Sequence, residues 1–190
     1  MFLLEDITIN AREIHQRFIR EYSTQREMVL AAQLCVLAAI LQSAGGFFPG
    51  VGYLVSAMST VPVVIASVFS LRCGIKTYLL ACVLLFFLQP AELIIFAFTT
   101  GPLGIGLGVA FLTLRKRPSV YVITSLFLFA GIILLLYGLR FPVLGPVAQG
   151  DIIMTNILFI YGFCFLYSCL WVKACRIFFL RYKNIFFVGP

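Results

Sequence analysis

From Pro62 to Arg117 the chain reads PVVIASVFSLRCGIKTYLLACVLLFFLQPAELIIFAFTTGPLGIGLGVAFLTLRKR. One apolar run meets a small basic stretch that reads as a turn, Arg72-Cys73-Gly74-Ile75-Lys76. A second stops at Gln89-Pro90-Ala91-Glu92, and a third carries Gly101-Pro102 and closes on Arg115-Lys116-Arg117. A soluble helix shows only one apolar stripe to its core and is polar elsewhere. Runs that are apolar on every face, with cations at one level and sparse polar groups at the other, belong in hydrocarbon. There every backbone group must be satisfied within the protein, which a helix achieves inside a single segment. The stretch therefore predicts an all-α, polytopic membrane protein. Composition agrees: 11% of the residues are charged, against about 25% in a typical soluble domain.

Three regions follow along the 190 residues: an amphipathic segment over 1–27, a transmembrane domain over 28–172 and a basic tail over 173–190. Residues 8–27 read as an amphipathic helix: Ile7, just before it, with Ala11, Ile14, Phe18 and Tyr22 falls on one helical stripe, and Asn10 with Glu13 resembles a capping box. Such a helix either lies on the membrane surface or is a solvated leader that packs on a partner. The segment lacks the basic start and short apolar core of a secretory signal. The first span is expected over 28–43. Four glycines and a proline in Ala44-Gly-Gly-Phe-Phe-Pro-Gly-Val-Gly-Tyr53 predict a loop. The second span continues to Leu71 and kinks at Pro62. The third, 75–88, is short for a crossing, but Lys76 and Gln89 can reach the interfaces from its ends. The fourth (91–114) has a thin glycine face and bends at Pro102. The fifth and sixth are expected over 120–139 and 152–172.

Charge tests the count. With six spans and the N-terminus in the cytoplasm, thirteen of the fourteen cations fall inside, and Arg140 alone falls outside. This is the asymmetry that the positive-inside rule requires, and removing one span would scatter the cations to both sides. The net charge of +7 thus reflects orientation and anionic lipid, not nucleic acid, whose basic stripe would lie on one exposed face. Both termini are expected in the cytoplasm.

The chemistry available is narrow. The one histidine, His15, lies on the N-terminal segment. The spans carry no Ser–His or paired-Asp constellation, and there is no phosphate-binding loop for ATP. The six cysteines show no CxxC spacing, so neither a metal nor a disulfide framework is expected. No cofactor and no enzymatic activity are expected. The informative polar residues gather instead at the level away from the cations: Gln42, Gln89, Glu92, Tyr137, Arg140, Gln149, Asp151 and Asn156, beside Phe47, Phe48 and Tyr53. Polar groups at membrane depth are costly and face an interior or a cavity, and aromatic walls with a few polar groups suit a small molecule. The candidate substrate-binding set is Phe47, Phe48, Tyr53, Gln89, Glu92, Arg140, Asp151 and Asn156. Three roles stay open for Glu92: stabilising the helix start that Pro90 marks, binding a ligand, or pairing with Arg140. Ala31, Cys35, Ala39 and Ser43 recur every fourth residue, a ladder that admits close helix approach either to a partner or within the chain.

Several of these stretches together resemble the substrate-binding S components of energy-coupling factor (ECF) transporters, YybS-like members in particular. The resemblance rests on the Pro62 helix, Arg72-Cys73-Gly74, Gln89-Pro90-Ala91-Glu92, and the helix from Gly101-Pro102-Leu103-Gly104 through Gly108 to Arg115-Lys116-Arg117, and covers about residues 28–172. The ladder is similar to the family's first-helix small-residue motif, with Cys35 and Ser43 in place of two alanines. The resemblance implies six helices and capture of a small molecule such as a vitamin. It also implies partnership with a membrane coupling subunit and ATPase subunits, docked through Ala31, Cys35, Ala39 and Ser43. MreD-like rod-shape proteins share the size and helix plan and would be scaffolds without a substrate. An open outer cavity holding Glu92 and Asn156 favours capture; a mouth filled by Phe and Leu favours the scaffold.

The topology is tested by impermeant thiol labelling from outside, in a background lacking the native cysteines. A cysteine at Gln149 is expected to react and one at Lys116 to be spared. Labelling at 116 overturns the orientation.

Overall fold

The computed structural model describes residues 9–48, 50–114, 116–141 and 154–186, with side chains to Arg181. Helix is the only regular structure among them: α1 (Ile9–Glu21), α2 (Thr24–Phe47), α3 (Val51–Ala57), α4 (Thr60–Phe69), α5 (Leu71–Leu88), α6 (Pro90–Phe98), α7 (Thr100–Thr113), α8 (Arg117–Ile133), a π-helical turn (Leu134–Gly138) and α9 (Met154–Phe186). Six helical stretches are long and apolar enough to cross a membrane: Thr24–Phe47, Val51–Phe69, Leu71–Leu88, Pro90–Thr113, Arg117–Gly138 and Met154–Arg181. The protein is an all-α, six-span membrane protein.

Two spans are broken, and proline explains both. A proline lacks the N–H that would reach the carbonyl four residues back, and its ring crowds that carbonyl. Pro62 withdraws a bond from Met58, and the second span divides into α3 and α4 there. The Met58 carbonyl accepts from Val61 N instead, at 3.0 Å. Pro102 withdraws a bond from Phe98, and the fourth span divides into α6 and α7 at Thr99 (φ −118°, ψ −80°). The Phe98 carbonyl is met by Gly131 of α8, so closely that a Cβ there would run into the oxygen.

Pairing follows the small residues. α2 lies along α5, α4 along α7, and α8 along both α7 and α9. Gly104 lets α7 approach Val63, and Ser67 is received between Gly74 of α5 and Gly108 of α7. The ladder Ala31, Cys35, Ala39 and Ser43 is buried within this packing. Ala31 shares a buried cluster with Ala66 of α4 and Cys73 of α5, and Cys35 and Ala39 share one that includes Val63 of α4 and Ala81 and Leu85 of α5. Its close approach is spent on α4 and α5. The docking face expected of it is therefore covered by the chain's own helices. The lipid-facing surface lies elsewhere, as on α5 at Leu79, Val83, Phe86 and Phe87.

The N-terminal helix closes one end of the bundle. Ala11, Ile14 and Phe18 are buried, and Phe18 stacks on Phe69 with ring centroids 4.7 Å apart. The last carbonyls of a helix lack intrahelical donors, and α1 supplies some. His15 Nδ1 lies 3.1 and 2.9 Å from the Val68 and Phe69 carbonyl oxygens, and Arg12 Nη2 donates to the Leu114 oxygen at 3.2 Å. Beside it, Lys76 pairs with Glu27 at 2.8 Å. The cations of α1, α5 and the α7–α8 turn thus gather at one end, and Arg140 lies beyond the other end of the fifth span.

Four boundaries differ from expectation. Ser23, not Asn10, caps a helix start, accepting from Arg26 N, so 24–27 belong to the first span and Asn10 lies inside α1. The run 44–47 stays helical; the helix ends at Phe48, and Gly50 stands at φ 82°, where glycine alone is unstrained. In hydrocarbon the helical bonds hold Gly45 and Gly46 in place. Ser70 caps α5 through Cys73 N at 2.9 Å, so Arg72 and Lys76 stand on its first turns and the third span has 18 residues, about 27 Å. Residues 173–186, expected as a tail, continue α9, which buries Cys175 and sets Phe179 edge-on to Phe111.

Gly131→Ala places a methyl group against backbone that cannot step aside, and overpacking of this kind costs about 1–3 kcal/mol. Gly162 has nothing within 4 Å of an added Cβ, and Ala is the better helix former. Thermal unfolding in detergent is expected to drop for Gly131→Ala and to hold or rise for Gly162→Ala. Equal behaviour of the two variants would exclude the α6–α8 contact.

Candidate functional site

Where the two broken spans come together, the chain buries a set of polar side chains. Gln42 of α2 is fully buried and lies at the centre. Its Nε2 donates to Glu92 Oε2 at 2.7 Å. Its Oε1 accepts from Ser59 Oγ at 2.7 Å and from Thr100 Oγ1 at 2.9 Å. Ser59 stands at the α3–α4 break and Thr100 at the α6–α7 break, so one amide ties both breaks to α2. Thr99, at the second break, turns its hydroxyl to the Ile95 carbonyl at 2.6 Å.

Glu92 is 5% exposed and stands in the first turn of α6, after Pro90. The helix N-terminus favours a negative charge there, but its hydrogen-bond partner, Gln42, lies across the bundle on α2. Gly45 and Gly46 make room for it. A Cβ on Gly45 would come 2.7 Å from Glu92 Oε1, and one on Gly46 would run into the Gln89 amide. The glycine pair thins the end of α2, and the carboxylate and Gln89 lie against it.

The candidate residues separate accordingly. Gln89 and Glu92 come together at Gly45–Gly46. Phe47, Phe48 and Tyr53, 63%, 64% and 62% exposed, face outward and do not wall a cavity around Glu92; aromatic rings near a span's end suit the membrane interface. Arg140 is exposed, with φ 52° after the π turn, while the Glu92 carboxylate is bonded to Gln42 on α2. Asn156 is half-buried in the first turn of α9, a helix packed on α8 and α1. No hydrogen bond among the described residues joins it to the cluster. Asp151 and Gln149 lie outside the described residues.

Two cavities lie elsewhere. One of about 320 Å³ is lined by Arg12, His15, Gln16, Leu112 and Thr113 at the cationic end. The other, about 270 Å³, lies between α4 and α9 and is walled by apolar residues such as Met58, Val64, Leu170 and Trp171. Neither is lined by Glu92. No cluster of three metal-ligating side chains occurs among the described residues.

Comparison of the chain with known protein families, characterised proteins and solved structures finds no match. What the site can do is therefore argued from its chemistry. It offers a carboxylate, an amide and two hydroxyls, closed from solvent, at the hinges of two spans. It holds no nucleophile–base pair of the kind that acyl or phosphoryl transfer uses.

Reading the residues in order singled out Glu92 and Gln89 but did not place Ser59 and Thr100 in the site. A signal was present: Ser59-Thr60-Val61-Pro62 and Thr99-Thr100-Gly101-Pro102 share one pattern, two hydroxyl residues and a spacer before a span-breaking proline.

Gln42→Leu removes the common partner of three buried groups, and each group left unsatisfied costs about 1–3 kcal/mol, more where charged. Glu92→Gln keeps an acceptor for Gln42 Nε2. Unfolding is expected to show a large loss for Gln42→Leu and no change for Glu92→Gln. A neutral Gln42→Leu would mean that the amide does not hold the breaks together.

Proposed function

We propose that the protein is a substrate-capture membrane subunit of the ECF S-component type, which binds a small molecule at the Gln42–Glu92 cluster from the end away from the cations. The observation that carries this reading is the convergence of two broken spans on one buried, charge-bearing polar cluster. Polar and ionisable groups inside a membrane mark substrate and ion pathways. Broken helices at mid-membrane are how transporters expose backbone and side-chain polarity to a ligand. A scaffold needs neither, and leaves a buried carboxylate unexplained.

On this reading Gln89 and the thin Gly45–Gly46 turn cover the cluster, and entry requires them to part. Since the Ala31–Ser43 ladder is buried inside the chain, a coupling subunit would dock on an outer face. The cationic end would face the cytoplasm, by the positive-inside rule, and ATP-driven partners would work from there.

The MreD-like scaffold reading has one observation in its favour: Gln42 bonds with Glu92, Ser59 and Thr100, so the cluster is paired within the chain and covered. Native mass spectrometry of protein released from membranes separates the two. A co-purified small molecule is expected with wild type. For Glu92→Gln its affinity is expected to fall at least about tenfold, the loss of one charge-assisted hydrogen bond, with the ligand-free melting temperature unchanged. Lower ligand-free stability with binding intact would make Glu92 a structural group and favour the scaffold.

A further inference from the structure

The cluster is not neutral in its demands. Glu92 is 5% exposed, and every described donor around it is uncharged: the Gln42 amide and, one bond further, the Ser59 and Thr100 hydroxyls. Two ion pairs, Arg17–Glu21 on α1 and Lys76–Glu27 at the cationic end, lie elsewhere. A carboxylate taken out of water without a cation costs several kcal/mol. The α6 N-terminus offsets at most about 2 kcal/mol of that. A carboxylate has about four acceptor directions, and Gln42 Nε2 takes one. The groups at hand are otherwise oxygens: both carboxylate atoms, Gln42 Oε1, Ser59 Oγ and Thr100 Oγ1. Next to Ser59, the fully buried Thr60 hydroxyl has no hydrogen-bond partner among the described residues.

Resting on the capture reading above, we infer that the captured species carries a single positive charge, which pairs with Glu92 inside the membrane. The chemistry is that of a monovalent cation among oxygen ligands, met either by an ammonium-bearing small molecule or by an alkali metal ion. Anionic substrates are disfavoured, because no lysine or arginine is bonded to the cluster among the described residues and its one ionisable group is a carboxyl. Binding would turn the carboxylate toward the incoming cation and leave Gln42 on the two hydroxyls, so occupancy is read at the same amide that ties the helix breaks.

The test uses the full chain in detergent, with thermal unfolding followed against sodium, potassium and methylammonium chlorides at constant ionic strength balanced by tetrabutylammonium chloride, whose bulky cation has no N–H. Tetrabutylammonium acetate and acetamide serve as the anionic and neutral probes. At least one of the three cations is expected to raise the wild-type melting temperature in a saturable manner, and to need at least about tenfold higher concentration in Glu92→Gln. Methylammonium acting alone identifies an organic ammonium ligand; sodium or potassium acting alone identifies a metal ion. Should Glu92→Gln not fold, wild type supplies the same answer through covalent labelling of Glu92 by dicyclohexylcarbodiimide, mapped by peptide mass spectrometry and slowed at least about tenfold by the effective cation. Saturable, Glu92-dependent stabilisation by acetate or acetamide would leave the capture reading standing and overturn the positive charge. No response to any of the cations, by either measurement, overturns the inference, while the co-purified ligand judges the capture reading separately.

Discussion

One side-chain amide holds the middle of this membrane protein together. Gln42 joins a carboxylate on α6 to hydroxyls at two helix breaks. In water such bonds replace bonds to solvent and contribute little net. In hydrocarbon there is no solvent to return to, and the alternative to each bond is an unsatisfied group. The breaks at Met58–Ser59 and Thr99 are tolerable because polar groups at them are absorbed: Met58 O by Val61 N, and the side chains of Ser59 and Thr100 by Gln42. The prolines create the demand and α2 meets it. That dependence explains why α2, the first span, lies against α3, α4, α5 and α6.

Much of the architecture was legible in the sequence because hydrocarbon length and cation placement are one-dimensional signals. Six spans could be counted along the chain, and both kinks were marked by Pro62 and Pro102. The ends of the elements were harder. Gly45 and Gly46 read as a loop because glycine weakens isolated helices in water; in a membrane they mark where Glu92 and Gln89 press on α2. The third span looked short because Arg72 and Lys76 read as a turn, whereas they occupy the first turns of α5 behind Ser70. Trp171 to Phe179 read as the end of a span and the start of a tail because charges enter at Lys173, but the same stripe stays buried through Phe179.

The site was legible only in part, for a different reason. Glu92 is conspicuous as a lone carboxylate in an apolar stretch. Its partner Gln42 lies fifty residues earlier, and no periodicity connects them. The ladder shows the same limit: small residues every fourth position announce a close neighbour without naming it, and Cys35 and Ala39 find theirs in Val63, Ala81 and Phe96. The aromatic residues Phe47, Phe48 and Tyr53 were grouped with Glu92 because they share its level along the membrane. Sharing a level does not fix the side of a helix on which a ring points.

The bundle is also unequal along its length, and the inequality falls at the polar cluster. On the cationic side of the breaks, α4 and α7 interlock through Gly104 on Val63 and Gly108 on Ser67, and α1 caps both helices through His15 and Arg12. On the other side, α3 is only seven residues long and packs on α2, with Tyr53 and Leu54 exposed. Segments with few buried apolar contacts open at lower free energy than those locked in a core. α3 is thus the half-helix that can part at lowest cost, and the hinge it would use, Ser59, is bonded to Gln42. Under the proposed capture of a solute, the same amide would register the ligand at Glu92 and set the angle of both half-spans, while the cationic half stays fixed by its glycine contacts and its α1 cap.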